Sequence, residues 1–191
     1  MPPQEEVPTP SIQFSAFERV IPDAYHGTDL NSAMDIVSAG FRMKDNPDLL
    51  LGRGVYFYES CHECAWNWAV THRKKPPAVL RCVIGLGRCL DICNSRHTRA
   101  LKDYYEAMRT RLASSPVTRS SLQKWTQALA VNLLAGKLQV DTVRAAYFTR
   151  VSLTPVGNIS IDSPIVICVR RTEKISSTIL EPPLPAQEDK K

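Results

Sequence analysis

Hydrophobic and polar positions change their period several times along this chain, and the changes mark out the elements. Ala24-Tyr25-His26-Gly27-Thr28 predicts the end of a short strand. Asp29 or Asn31 is then placed to cap a helix through Ala33-Met34-Asp35-Ile36-Val37, with Gly40 stopping it as a left-handed C-terminal residue. Leu49 to Gly54 reads as a loop with two glycines, and Gly54-Val55-Tyr56-Phe57-Tyr58 is β-prone. Ser60, with Glu63 three residues on, predicts a capping box for a helix over ESCHECAWNWAV. Pro77 to Ile84 reads as a mostly buried strand. Between 97 and 136 the pattern becomes that of two amphipathic helices, broken at Ser114-Ser115-Pro116 and ended by Gly136. Asp141 to Phe148 and Ile165 to Val169 return to strands, with Pro164 suited to the first position of the last one. Strands and helices interleave irregularly, which predicts an α+β fold rather than a regular parallel βαβ array.

The ends differ from this body. Residues 1–10 hold four prolines and no apolar period, so residues 1–12 are expected to form a flexible arm. The Pro- and charge-rich stretch from Glu181 to Lys191 is expected to be a disordered tail. A single domain over 13–180 remains, with 97–136 as a helical insertion that sets partner choice.

Composition narrows the class. Of 191 residues, 43% are hydrophobic and 23% charged, which excludes wholesale disorder. No run approaches the ~18–20 apolar residues of a membrane span. The N-terminus has no basic n-region or apolar h-region, so a cytoplasmic or nuclear, non-membrane protein is expected. The net charge of +5 permits an anionic ligand without demanding one. The helical stretch from Arg99 to Lys124 carries six basic residues against Asp103 and Glu106. Such runs are usually solvated faces, and no nucleic-acid-binding motif accompanies this one.

The six cysteines stand at 61, 64, 82, 89, 93 and 168. Cys61-x2-Cys64 and Cys89-x3-Cys93, with His62 and His72 nearby, have some of the spacing of a zinc site. The first pair lies in a helical rather than loop-like setting, so no metal is expected. A reducing compartment and small core thiols are the reading of the six.

One region carries most of the chemistry. It holds Tyr25-His26-Gly27-Thr28, then Gly40-Phe41-Arg42, then Gly52-Arg53-Gly54-Val55-Tyr56-Phe57, and then a helix with Ala65, Trp66, Asn67 and Trp68. Taken singly, each has a bland reading. His-Gly marks a turn, Gly-Val-Tyr-Phe is a packed strand, and Arg42 is a solvated cation. Trp66 and Trp68 are two apart, so on one helix they face different sides and one is core.

In this order and spacing, the fragments resemble the diphtheria-toxin-like branch of the ADP-ribosyltransferases, which includes the poly(ADP-ribose) polymerases. That branch reads H-G-[ST], G-[LF]-R and G-[KR]-G-[IV]-Y-F, and the likeness covers about 45 residues strongly. It implies a split antiparallel sheet with flanking helices, and NAD+ as co-substrate. By this likeness His26 and Tyr56 are catalytic. His26 meets a ribose hydroxyl, and Gly27 lets backbone clamp the nicotinamide amide. Thr28 reaches the adenosine side, and Arg42 contacts the adenosine ribose or pyrophosphate. Gly54 lines the cofactor, Tyr56 offers its ring to nicotinamide, and Trp66, Asn67 or Trp68 stands where a second aromatic is expected.

The likeness breaks on the late strand, where the branch carries a glutamate or glutamine. Ser163-Pro164-Ile165-Val166-Ile167-Cys168-Val169 has neither. Ser163 or Val166 occupies the place, Asp162 is the nearest carboxylate, and Asp162 and Ser163 are the candidates for the catalytic role there. The expected activity is therefore transfer of one ADP-ribose from NAD+ to a macromolecule, a protein more than a nucleic acid, by a monomer. The alternatives are a module that binds NAD or ADP-ribose without turnover, and an enzyme like the RNA 2′-phosphotransferases.

Overall fold

The computed structural model describes residues 7–43, 50–72, 75–114, 127–147 and 163–182. The chain runs β1 (Val20–Asp29), α1 (Leu30–Ala39), β2 (Val55–Glu59), α2 (His62–His72), β3 (Pro77–Gly85) and β4 (Cys89–Asp91). It continues through α3 (Ser95–Ser114), α4 (Gln127–Lys137), β5 (Thr142–Ala146), β6 (Ile165–Val169) and β7 (Ile175–Glu181). The class is α+β, as its pattern predicts.

Among the described residues, seven strands form one sheet in the order β4-β5-β6-β2-β1-β3-β7. The expected split antiparallel sheet is thus corrected to a single mixed one. The strands join in one ladder, and β4 and β5 are parallel. That pair follows from the insertion. Parallel neighbours need a long crossover, and α3 and α4 lie between β4 and β5 in the chain. At the centre the ladder is thin. β1 meets β2 only at Ala24↔Glu59 and Tyr25↔Tyr58, while β1 stays paired with β3 out to Asp29↔Pro77.

Alternation along the strands divides the core between the two faces. Val55 and Phe57, Ala78, Leu80, Cys82 and Ile84, with Ile167 and Val169, form one core together with Ala33 of α1. Leu90, Val143, Ala145, Val166 and Cys168 form the other, covered by Tyr104 of α3 and by Val131, Leu134 and Ala135 of α4. Helix α2 lies over β1 and β3 with Ala65 and Ala69 fully buried.

The helix ends follow sequence rules with two exceptions. Asp29 caps α1, accepting from the Ser32 amide at 3.0 Å and the Ser32 hydroxyl at 2.8 Å. Gly40 ends it with φ +79°, but its ψ of 172° is extended rather than left-handed helical. At α2, Ser60 is not the cap. It sits at φ 54°, and its amide donates to the Asp23 carbonyl. Cys61 takes that place, its sulfur accepting from the Cys64 amide at 3.2 Å. Cys61 and Cys64 are joined as a disulfide, which corrects the reading of all six cysteines as thiols.

A buried ionic cluster ties β2 to β4 and β5. The Arg144 side chain, 7% exposed, donates from Nε to Glu59 at 2.6 Å and from Nη1 to Asp91 at 3.2 Å. Burial pulls its pKa down, but the Glu59 hydrogen bonds and the Asp91 and Glu59 charges raise it overall. Within the expected flexible arm of residues 1–12, Val7 is buried in the second core and Ile12 packs against it. Glu181, read as the first tail residue, is the last of β7 and pairs with Arg81 at 2.7 Å. Residues 1–6 and 183–191 lie outside the described residues, as does the 115–126 break between the helices.

Candidate functional site

The three motif fragments meet at one imidazole. His26 of β1 packs edge-on against Phe41 of the Gly40-Phe41-Arg42 element, with ring centroids 5.3 Å apart. It also lies 5.6 Å from Phe57 of β2, and Phe41 and Phe57 are 5.3 Å apart. Each vertex of this aromatic triangle comes from a different fragment. Where β1 and β2 cease to pair, the His26 Nδ1–H donates to the Tyr56 main-chain carbonyl at 2.8 Å. A carbonyl only accepts, so this bond places the proton on Nδ1. In a neutral ring, Nε2 is then the acceptor.

The Tyr56 phenol is held elsewhere. Neighbours in a strand point to opposite faces, and Tyr56 packs on the second core while Phe57 belongs to the first. Its hydroxyl donates to the Gly52 carbonyl at 2.6 Å and accepts from the Leu51 amide at 2.9 Å. Burial, with Cys168 beside it, raises the phenol's pKa well above its ordinary value. The structure therefore joins His26 to Tyr56 through the Tyr56 backbone, while the two side chains occupy opposite faces of β2.

The remaining candidates divide. A Cβ on Gly27 would collide with the Ala65 carbonyl oxygen, so α2 itself demands glycine there. Gly54 is closed in the same way by the Cys168 sulfur and the Val169 carbonyl of β6. Thr28 is buried opposite Ala78. Arg42 is exposed directly after Phe41. Trp66 is half-buried, Asn67 is exposed, and Trp68 stacks on His72 with centroids 4.9 Å apart. On the late strand, Val166 is buried between Tyr58 and Ala145. Ser163 is half-buried before β6 begins, and Asp162 lies outside the described residues.

Sequence reasoning missed the support beside the Gly52-Arg53-Gly54 loop. Asn132 of α4 accepts from the Arg53 amide at 3.2 Å and from Arg170 Nη1 at 2.9 Å. Arg170 also donates to the Arg53 carbonyl at 3.3 Å. Burial lowers the Arg170 pKa, with Arg53 adding like-charge repulsion. No spacing rule links residues 53, 132 and 170, so only the fold reveals this buttress. A separate cleft of about 550 Å³ opens between residues 11–17 and the β4 edge, beside Phe14, Arg19, Asp91 and His97, and shares no residue with the His26 surroundings.

No protein-family model and no curated protein matches the chain. Among the described residues, no helix is long and apolar enough to cross a membrane, and no cluster of three His, Cys, Asp or Glu side chains is placed to hold a metal ion.

Proposed function

We propose that this protein transfers one ADP-ribose from NAD+ to a macromolecular acceptor, a protein before a nucleic acid, with release of nicotinamide. The observation that carries the reading is the aromatic triangle of His26, Phe41 and Phe57. Three fragments separated in the chain, each weak alone, converge on one histidine where the central strands part.

In this reaction the bond from the ribose C1′ to the nicotinamide nitrogen breaks, and the nitrogen keeps the electron pair. An acceptor nucleophile then bonds C1′ and loses its proton. The transition state is cation-like, so catalysis consists of positioning and of placed dipoles. His26 Nε2 accepts a hydrogen bond from a ribose hydroxyl, with the ring's orientation fixed by the Tyr56 carbonyl. The β1 edge from Gly27 clamps the nicotinamide amide. Arg42, exposed beside Phe41, reaches the adenosine ribose or the pyrophosphate. The Tyr56 hydroxyl is committed to the 51–52 loop and its ring packs on the second core, so Tyr56 contributes through the carbonyl that orients His26.

One observation favours a second reading, that of a module which holds NAD without turning it over. Of Ser163 and Val166, the two residues that match the late-strand place, neither carries a carboxylate or amide, and Val166 is buried. A lost transition-state contact of that kind costs about 3–4 kcal/mol. Poly-chain elongation, which accompanies the glutamate in the resembled branch, is not part of either reading.

The test is incubation of the pure protein with labelled NAD+ and a cell lysate, with the labelled species identified by mass spectrometry. Label on protein, lost in His26→Ala, supports transfer. NAD binding by calorimetry with no nicotinamide released supports the binding module. Neither binding nor release removes both.

A further inference from the structure

Cys61 and Cys64 form a disulfide across the first turn of α2, with their Cα atoms 5.3 Å apart. Cys61 stands in the N-cap position. Its carbonyl accepts from the Ala65 amide at 3.4 Å, and its sulfur accepts from the Cys64 amide at 3.2 Å. Both cysteines are partly exposed. Between them, His62 leaves its Nδ1 buried without a hydrogen-bond partner, and its ring packs edge-on against Tyr25 at 5.4 Å.

Stability is a small part of what this bond supplies. A ring closed over a sequence separation of 3 removes less chain entropy from the unfolded state than the long loops that disulfides usually close. Its setting instead favours a sulfur anion. An amide N–H points at Cys61 from the positive end of a helix, the environment in which thiolates form readily. The other four cysteines are thiols. Among them, burial pushes Cys82 and Cys89 up to about 11 and Cys168 up to about 12, which keeps all three protonated.

We propose that Cys61-His62-Glu63-Cys64 is a reversible thiol–disulfide exchange site that reacts with low-molecular-weight disulfides and thiols. In the oxidising direction the Cys61 thiolate attacks one sulfur of an external disulfide and expels the first external thiolate. Cys64, deprotonated, then attacks Cys61 of the mixed disulfide, closes the internal bond and expels the second. Two electrons pass from the protein dithiol to the external disulfide. The two thiolates released take up the protons lost by the cysteines. The reverse sequence, driven by excess external thiol, reopens the pair. The exchange does not depend on the NAD reading.

The experiment equilibrates the folded, full-length protein with glutathione buffers of graded oxidised-to-reduced ratio. Thiols are trapped by alkylation, and the peptide spanning 61–64 is quantified by mass. The expected result is a single transition in which both thiols disappear together while Cys82 and Cys168 stay reduced. In Cys64→Ser, Cys61 should alkylate with iodoacetamide at pH 7 at least about tenfold faster than Cys64 does in Cys61→Ser, as a thiolate-stabilising position requires. Circular dichroism shows that each variant is folded. A pair that stays alkylatable in every buffer, a pair that stays closed in excess reduced glutathione, or equal rates in the two variants overturns the proposal.

Discussion

The Nδ1 of His26 lies 2.8 Å from the main-chain carbonyl of Tyr56, so the His26 side chain is coupled to the Tyr56 backbone and not to its phenol. This has a consequence for how β2 is built. Substitutions of Tyr56 that keep the strand also keep the His26 orientation, and the phenol can be altered separately.

Tyr56→Phe removes a hydroxyl that donates to Gly52 and accepts from Leu51. The buried Leu51 amide and Gly52 carbonyl are then left without that partner, at a cost of about 1–3 kcal/mol each if water does not replace it. Urea denaturation should show a lower midpoint for Tyr56→Phe, with NAD affinity, read by calorimetry, falling much less than in His26→Ala. Equal affinity losses in the two would show that the Tyr56 hydroxyl meets the ligand.

Gly27→Ala places a methyl group against the Ala65 carbonyl oxygen. Helix α2 has to move off β1, and overpacking of this kind costs about 1–3 kcal/mol. Thermal unfolding should show the loss without any ligand present. A stability equal to that of the parent would mean that glycine is needed there only for ligand approach.

Much of the site was legible in the sequence because it rests on short-range chemistry. The Asp29 cap, Gly40, the strand through Tyr56 and the strand at Ile165–Val169 are set by local propensity and period, and all are present. The parallel β4–β5 pair was not legible. β4 has three residues, too few for alternation to register. β7 reads ISSTILE, with serines where a period-2 core pattern would need apolar residues. The face on which the Tyr56 phenol lies was hidden for another reason. Strand alternation fixes which residues share a face within one strand, but the relation of Tyr56 to His26 depends on where β1 and β2 stop pairing.

Glu59 and Arg144 form an ion pair in which both side chains are largely buried. Glu59→Ala leaves the Arg144 charge with Asp91 as its remaining acidic contact in the cluster, and breaking a buried pair costs about 3–5 kcal/mol. Replacing both with apolar residues, Glu59→Leu with Arg144→Met, should cost less than Glu59→Ala alone. Chemical denaturation of the parent and the two variants decides this, and a double variant that loses as much stability as Glu59→Ala would count against a coupled pair.

Stability should fall in alkali. Burial pushes the Cys168 thiol from an ordinary value near 9 up to about 12. Below pH 9 both folded and unfolded chains keep this proton. Between about 9 and 12 the unfolded chain loses it first, so unfolding is favoured as pH rises. The share lost is at most roughly 4 kcal/mol at about 1.4 kcal/mol per pH unit. Urea midpoints at pH 8 and pH 10.5 measure it, and a flat profile would mean that the thiol is not shielded as the fold implies.

The central claim is that NAD+ is gripped where β1 and β2 part, at His26. The most direct measurement is an NMR titration of isotope-labelled protein with NAD+, following the His26 imidazole nitrogens, the Gly27 and Thr28 amides, and the Phe41 and Phe57 rings. The account predicts saturable shifts at these positions, with the His26 Nε2 signal moving most, and their loss in His26→Ala. No shift at high NAD+, or shifts confined to another part of the molecule, would contradict it.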